Sequence, residues 1–266
     1  MTIFEAILLG ILQGLTEFLP VSSSGHLALA GHFFGISSPG VTFEVFVHFG
    51  TAVAVLWFFR ARVASILRAV SRWAARREYD HGEARLALYI IIGTIPAAAI
   101  GLAFDELVGE FFDSPVLVSL MLLVTGVILW LTRRIPAGGR SRETLRDAVL
   151  IGLAQAAAIM PGISRSGSTI SAGLGLGLDR TRAAEFAFLL SIPVILGATV
   201  ASLGDIVCAG TAVGWTTFAG TVAAFASAIP AIALLMKLVT VGVFHRFAYY
   251  CWAAGALGLV LSFTLG

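Results

Sequence analysis

Two short stretches of this sequence hold the side chains best suited to chemistry. Gln13 and Glu17 stand four residues apart, hence on one helical face, and lead into Pro20-Val21-Ser22-Ser23-Ser24-Gly25-His26. The second stretch runs Pro161-Gly162-Ile163-Ser164-Arg165-Ser166-Gly167-Ser168-Thr169. Serine after a Pro or Gly break is a helix N-cap signal, and a helix N-terminus offers free N–H groups and a positive dipole end to an anion. Phosphate is the obvious candidate. Glu17 could ligate a divalent cation, magnesium or calcium, bridging phosphate oxygens, with Gln13 beside it. Arg165 could hold a diphosphate bidentately. His26 could act as general acid or base, and Ser22 or Ser23 as nucleophile or phosphate donor. Ser24, Gly25, Ser164, Ser166, Gly167 and Thr169 complete the candidate phosphate-binding set.

Each group also has a plainer reading. Serines in apolar helices commonly serve packing, Glu17 and Arg165 could form a structural ion pair, and His26 could be a satisfied polar residue. Glu44 and His48, also four apart, read as packing or entrance residues. An ionisable group inside an apolar segment is a functional candidate by default, which favours the chemical reading for Glu17 and Arg165.

The elements that must position these residues are apolar. Of 266 residues 58% are hydrophobic and 12% charged, and the mean hydropathy is +0.96, so lipid is the expected solvent and a water-soluble fold is excluded. Cys208 and Cys251, far apart, imply neither a disulfide framework nor a zinc site. The N-terminal MTIFEAILLGILQG lacks a basic region and a small-residue cleavage site, so it reads as structure rather than a signal peptide. Six apolar runs approach bilayer-spanning length: Val41–Phe59, Leu86–Ala103, Val116–Leu131, Phe186–Leu203, Trp215–Leu235 and Phe247–Leu265. Four runs are too short to cross: Ile3–Leu12, Leu27–Phe34, Ala148–Met160 and Ile170–Leu178. They form two pairs, each broken by one of the Ser-rich stretches, which is the pattern of a re-entrant hairpin. Pro96, Pro193 and Pro230 lie inside spans as expected kinks.

Basic residues set the orientation. Residues 60–85 carry seven Arg, 132–147 carry five, and Arg180, Arg182, Lys237 and Arg246 fall on the same face, leaving Arg165 alone unassigned. The intervening loops 104–115, with Asp105, Glu106, Glu110 and Asp113, and 204–214, with Asp205, have no Lys or Arg and face outward. Residues 60–85 read as an amphipathic connector touching lipid headgroups; no nucleic-acid role is needed. Residues 10–31 align without a gap on 152–173 with seven identities, including Gln13/Gln155, Ser22/Ser164 and Gly25/Gly167. The expected fold is therefore one all-α polytopic membrane domain of six transmembrane helices and two re-entrant hairpins, with repeat 1 at about 1–135 and repeat 2 at about 145–266. Each half has an odd number of spans, so the repeats are inverted and their tips meet near the midplane.

At Gln13–His26 and Pro161–Thr169 the sequence closely resembles the undecaprenyl diphosphate phosphatase family, also known as the bacitracin-resistance family. Both signatures occur in order, and the hydropathy is similar over essentially the whole chain. The resemblance implies a bacterial inner-membrane hydrolase that recycles the polyprenyl lipid carrier of cell-wall synthesis, with its site opening outward and a divalent cation at work. It implies Glu17 as the essential acid, Ser23 as nucleophile, and roles for His26 and Arg165. Gln13 stands where the family has an acidic or Gln residue, and Gln brings a metal one charge less. The implied partners are the polyprenyl diphosphate and membrane lipids, with a homodimer left open. SSGH is also similar to a phosphatidic acid phosphatase fragment, but that superfamily has a second His several residues after an Arg, and here Arg165 is followed by SGSTISAG, with no His. The competing function is a polyprenyl-phosphate flippase, because inverted repeats with broken helices are also a transporter architecture.

Overall fold

The computed structural model describes residues 1–34, 40–104, 109, 111–136, 138–208 and 213–265. The acidic residues Asp105, Glu106 and Glu110 lie outside the described residues, as does the side chain of Asp205. Every named element is helical: α1 (Ile3–Phe18), α2 (Ser23–Phe34), α3 (Gly40–Phe58), α4 (Arg60–Ala74), α5 (His81–Ala103), α6 (Pro115–Leu131), α7 (Leu145–Ala157), α8 (Arg165–Gly175), α9 (Arg180–Cys208), α10 (Trp215–Val241) and α11 (Phe247–Leu265). Local signals fix their ends. Thr2 with Glu5 and Thr144 with Asp147 form capping boxes for α1 and α7. Asp80, Ser114 and Ser164 cap α5, α6 and α8, and left-handed Gly242 closes α10.

Five helices are long and apolar enough to cross a membrane, or six if the bent pair α3–α4 counts as one. That pair breaks at Phe59 with a bend of 81°. The apolar run of α3 ends at an Arg-rich segment, and α4 turns aside while exposing Leu67 and Trp73, as an interfacial helix does. The four short runs are all helical, but α2 and α8 begin at Ser23 and Arg165, earlier than the apolar runs at Leu27 and Ile170 suggest. The caps and polar first turns belong to the helices even though hydropathy leaves them out.

The molecule turns its chemistry inward. Leu102, Trp215 and Phe263 are 80%, 81% and 77% exposed, whereas Gln13, Glu17, Ser23 and Ser164 are buried. Exposed aliphatic surface costs little in hydrocarbon, so polar groups and small residues hold the interior together. Helix α9 runs through the centre, where Phe186, Phe188, Leu189 and Leu190 belong to the main core cluster.

The halves interlock. Helix α1 packs along α10, and α7 packs along α5. A Cβ on Gly10 would strike the backbone of Gly220, and one on Gly152 the backbone of Gly93. Gly10 and Gly152 are equivalent in the repeat, so the same close helix crossing occurs twice, each time between opposite halves.

Candidate active site

The two Ser-rich tips share one set of side-chain hydrogen bonds. In the first, Ser22 Oγ accepts from Gly25 N at 3.3 Å and lies 3.3 Å from Ser24 Oγ. In the second, Ser164 Oγ accepts from Gly167 N at 3.0 Å and lies 3.2 Å from Ser166 Oγ. The tips also touch each other reciprocally. A Cβ on Gly25 would stand 3.1 Å from Gly162 Cα, and one on Gly167 would stand 3.4 Å from Pro20 Cβ. Pro20 and Gly162 are matched positions in the aligned stretches, so the tips meet in reciprocal close contacts at Gly25 and Gly167.

That crossing brings Glu17 and Arg165 together, 148 residues apart in sequence. Glu17 is 6% exposed, and its carboxylate is the hub of the site. Arg165 Nη2 donates to Oε1 in an ion pair. Ser23 Oγ donates to Oε2 at 2.6 Å and Gln13 Nε2 donates to the same oxygen at 2.8 Å. His48 Nε2 stands 3.6 Å from Oε2. One carboxylate thus gathers α1, both tips and α3. A buried charge with this many partners is compensated, and removing one partner strands it.

A cavity of about 450 Å³ adjoins the hub. Glu17, Ser22, Ser23, Ser24, Glu44, His48, Gln155, Ser164 and Arg165 line its polar side, and Ala97, Phe112, Val194, Ile195 and Ala198 its apolar side. A charged pocket running into an apolar channel suits an amphiphile with an anionic head. A larger cavity of about 740 Å³ lies among the basic connectors, but its Arg62, Arg140 and Arg182 are taken by Glu83, Asp147, Glu143 and Glu185 at 2.5–3.1 Å. That network of ion pairs ties connectors to one another.

The structure brings Glu17, Ser22, Ser23, Ser24, Ser164 and Arg165 to the cavity wall. Gln13 sits behind Glu17. Gly25 and Gly167 serve the tip crossing, Ser166 Oγ donates to Leu19 O at 3.3 Å, and Thr169 Oγ1 bonds back to Arg165 O at 2.8 Å. His26 does not line the cavity: Nδ1 faces Ser22 O at 2.8 Å and Nε2 faces Tyr250 Oη at 2.7 Å. Both ring nitrogens are engaged away from Glu17. Conversely, His48, Glu44 and Gln155 do line it. His48 was visible as an ionisable residue within an apolar run, and Gln155 as the repeat mate of Gln13. Thr199 and Ser202, also on the wall, carry no sequence signal, being ordinary small polar residues in a span.

For a divalent ion the available donors are oxygens. Among the described residues no group of three or more His, Cys, Asp or Glu could hold a metal. However, Gln13 Oε1 is buried with no hydrogen-bond partner beside the Glu17 carboxylate. One carboxylate and one amide oxygen, completed by phosphate oxygens, fit a hard cation such as magnesium or calcium.

A family model described as bacitracin resistance protein BacA matches residues 6–257. Among curated relatives, an undecaprenyl-diphosphatase of Desulforapulum autotrophicum is 43% identical over 99% of this chain and 100% of its own length. One of Syntrophotalea carbinolica is 48% identical over 98% of this chain and 100% of its own. One of Methanobrevibacter smithii is 42% identical over 99% of each.

Proposed function

The chain belongs to the bacitracin resistance protein BacA family, and from that premise we propose that it is an undecaprenyl-diphosphatase working inside the membrane. It hydrolyses undecaprenyl diphosphate to undecaprenyl phosphate and inorganic phosphate, and is a multi-pass membrane hydrolase. The observation that carries this reading is the convergence of Glu17, Ser23 and Arg165 on the polar wall of a cavity whose other wall is apolar.

The finer architecture we read as six spans and two re-entrant hairpins in an inverted repeat, supported by the paired crossings Gly10·Gly220 and Gly152·Gly93. The cavity walls Phe112 and Ser202 lie beside the loops that lack Lys and Arg, so the site opens outward, on the periplasmic side of the inner membrane. The diphosphate enters head first, with its tail lying in the apolar channel between α5 and α9.

In the reaction, Arg165 exchanges its carboxylate partner for the terminal phosphate, which the Ser164 tip meets with a helix N-terminus. Ser23 Oγ attacks that phosphorus in line as its proton passes to Glu17, and the bond to the bridging oxygen breaks to release undecaprenyl phosphate. Glu17 passes that proton to the leaving bridging oxygen; it then takes a proton from the water that attacks the phosphoserine and returns it to Ser23 Oγ as the bond breaks, giving phosphate and free Ser23. Preorganised charge supplies most of the acceleration. A divalent cation would be held by Glu17 and Gln13 Oε1 and, when bound, supplies positive charge against the phosphate oxygens. Because His26 points elsewhere, the base assignment moves from His26 to Glu17.

Phosphate release by the purified protein in detergent, assayed on polyprenyl diphosphate with and without chelator, tests the function. Substrate binding without turnover would overturn it. Acid-quenched phosphoserine at Ser23 tests the covalent step, and turnover with no such adduct would replace it with direct attack by water.

A further inference from the structure

Ser22 is one of two non-glycine residues with positive φ among the described residues, at φ 65°. Such a backbone costs on the order of 1–3 kcal/mol and persists only where its surroundings hold it. Its carbonyl leads directly into Ser23, the residue aimed at Glu17. That carbonyl accepts from His26 N at 3.2 Å and from His26 Nδ1 at 2.8 Å. A carbonyl only accepts, so Nδ1 carries the ring hydrogen; Nε2 of the neutral ring is then left with a lone pair, and the Tyr250 hydroxyl donates to it at 2.7 Å. The two rings stack, with centroids 5.6 Å apart and planes inclined by 13°.

Helix α11 grips the same tip a second time. The buried Cys251 thiol donates to Pro20 O at 3.4 Å. The other tip is held in the equivalent place by Thr125 of α6, whose Oγ1 donates to Gly162 O at 2.9 Å and accepts from Ser164 N at 3.0 Å. In each half the last span braces the opposite tip from behind, but only the Ser23 tip needs an extra clamp on a strained peptide.

We propose that Tyr250 is a positioning residue for the phosphatase reaction: by donating to Nε2 its hydroxyl holds the His26 ring in the orientation in which Nδ1–H clamps the Ser22 carbonyl and thereby aims Ser23. This rests on the assignment of Ser23 as nucleophile above. Without the hydroxyl, Nε2 has lost its partner, the imidazole is held at one nitrogen only, and its rotation loosens the clamp on the Ser22–Ser23 peptide.

The test compares wild type and Tyr250→Phe, purified in detergent with ¹⁵N-labelled histidine. Phe keeps the ring and its packing. Loss of one hydrogen bond predicts a kcat lower by about threefold to tenfold, KM within about twofold and an unchanged melting temperature. The His26 nitrogen resonances, identified by their absence in His26→Asn, should both move, Nε2 losing the shift of a hydrogen-bonded acceptor and Nδ1–H that of a firmly held donor. The side-chain amide introduced by His26→Asn can still donate to Ser22 O, so adding Tyr250→Phe to His26→Asn should change kcat no further. Native kcat in Tyr250→Phe, unaltered imidazole resonances, a kcat loss that tracks a loss of melting temperature, or a further loss in the double variant would each overturn the proposal. Tyr249→Phe, on the face packed against Trp130 and Trp252, is the neutral control. A wild-type protein that releases no phosphate refutes the function itself, while the resonances still decide the brace.

Discussion

At the scale of single residues, the proposed mechanism makes the Glu17–Arg165 pair matter to both activity and stability, and the two can be separated. Arg165→Ala leaves a nearly inaccessible carboxylate without its cation, a change that costs about 3–5 kcal/mol for a buried pair and removes the phosphate clamp. Glu17→Gln keeps an acceptor for Ser23 but no longer takes its proton, so kcat should fall by about 10²–10⁴-fold with little change in melting temperature. Combining Glu17→Gln with Arg165→Ala should recover most of the stability lost in Arg165→Ala while remaining inactive; thermal melts in one detergent read this cycle directly. A double variant as unstable as Arg165→Ala would show that the arginine stabilises through packing instead. Glu17 and Arg165 were legible in the sequence because ionisable groups rarely survive in apolar helices without a partner. His26 was legible as a reactive type but not as a brace, because its partner Tyr250 lies 224 residues away and tautomers are decided by neighbours.

At the scale of elements, the short helices α1, α2, α7 and α8 were readable from apolar runs on either side of a polar break, and the likeness of the two breaks from the shared offset. The helix starts were not, since a capping serine and a polar first turn carry the same hydropathy as a loop. Nor did sequence show which helix each hairpin packs against. That choice rests on glycines whose missing side chains let backbones touch: Gly10 on Gly220 and Gly152 on Gly93. Gly10→Leu and Gly152→Leu should therefore each cost about 1–3 kcal/mol or more by overpacking, and by similar amounts because the contact is the same. Gly197→Ala is the contrast. It lies within α9 with nothing within 4 Å of a new Cβ, so it should be neutral or stabilising by about 0.5–1 kcal/mol. Melting temperatures of the three variants test the pairing, and a tolerated Gly152→Leu beside a damaging Gly10→Leu would break the equivalence of the halves.

For the whole molecule, the distribution of charge decides how the chain sits in the membrane and which face the cavity serves. Arg60–Arg85 and Arg133–Arg146 lie on connectors, where Arg62, Arg140 and Arg182 are locked into ion pairs with carboxylates from neighbouring elements. The reciprocal loops at Asp113 and Val213 have no basic residue, and the cavity is walled by their neighbours Phe112 and Ser202. Moving arginines across a bilayer is costly while acidic loops translocate readily, so these two sets of loops must lie on opposite sides. In the proposed orientation, substrate entering beside Phe112 comes from outside. Single cysteines at Asp113, Val213, Arg77 and Ser141, placed in a Cys208→Ser/Cys251→Ala background, would be read with a thiol reagent that does not cross the membrane. Intact cells should label positions 113 and 213 but not 77 and 141, and lysis should expose the latter pair. Labelling of 77 or 141 in intact cells would turn the molecule over and put the diphosphate entrance on the cytoplasmic face, whereas labelling on both faces at one position would mean that the chain does not insert in a single orientation.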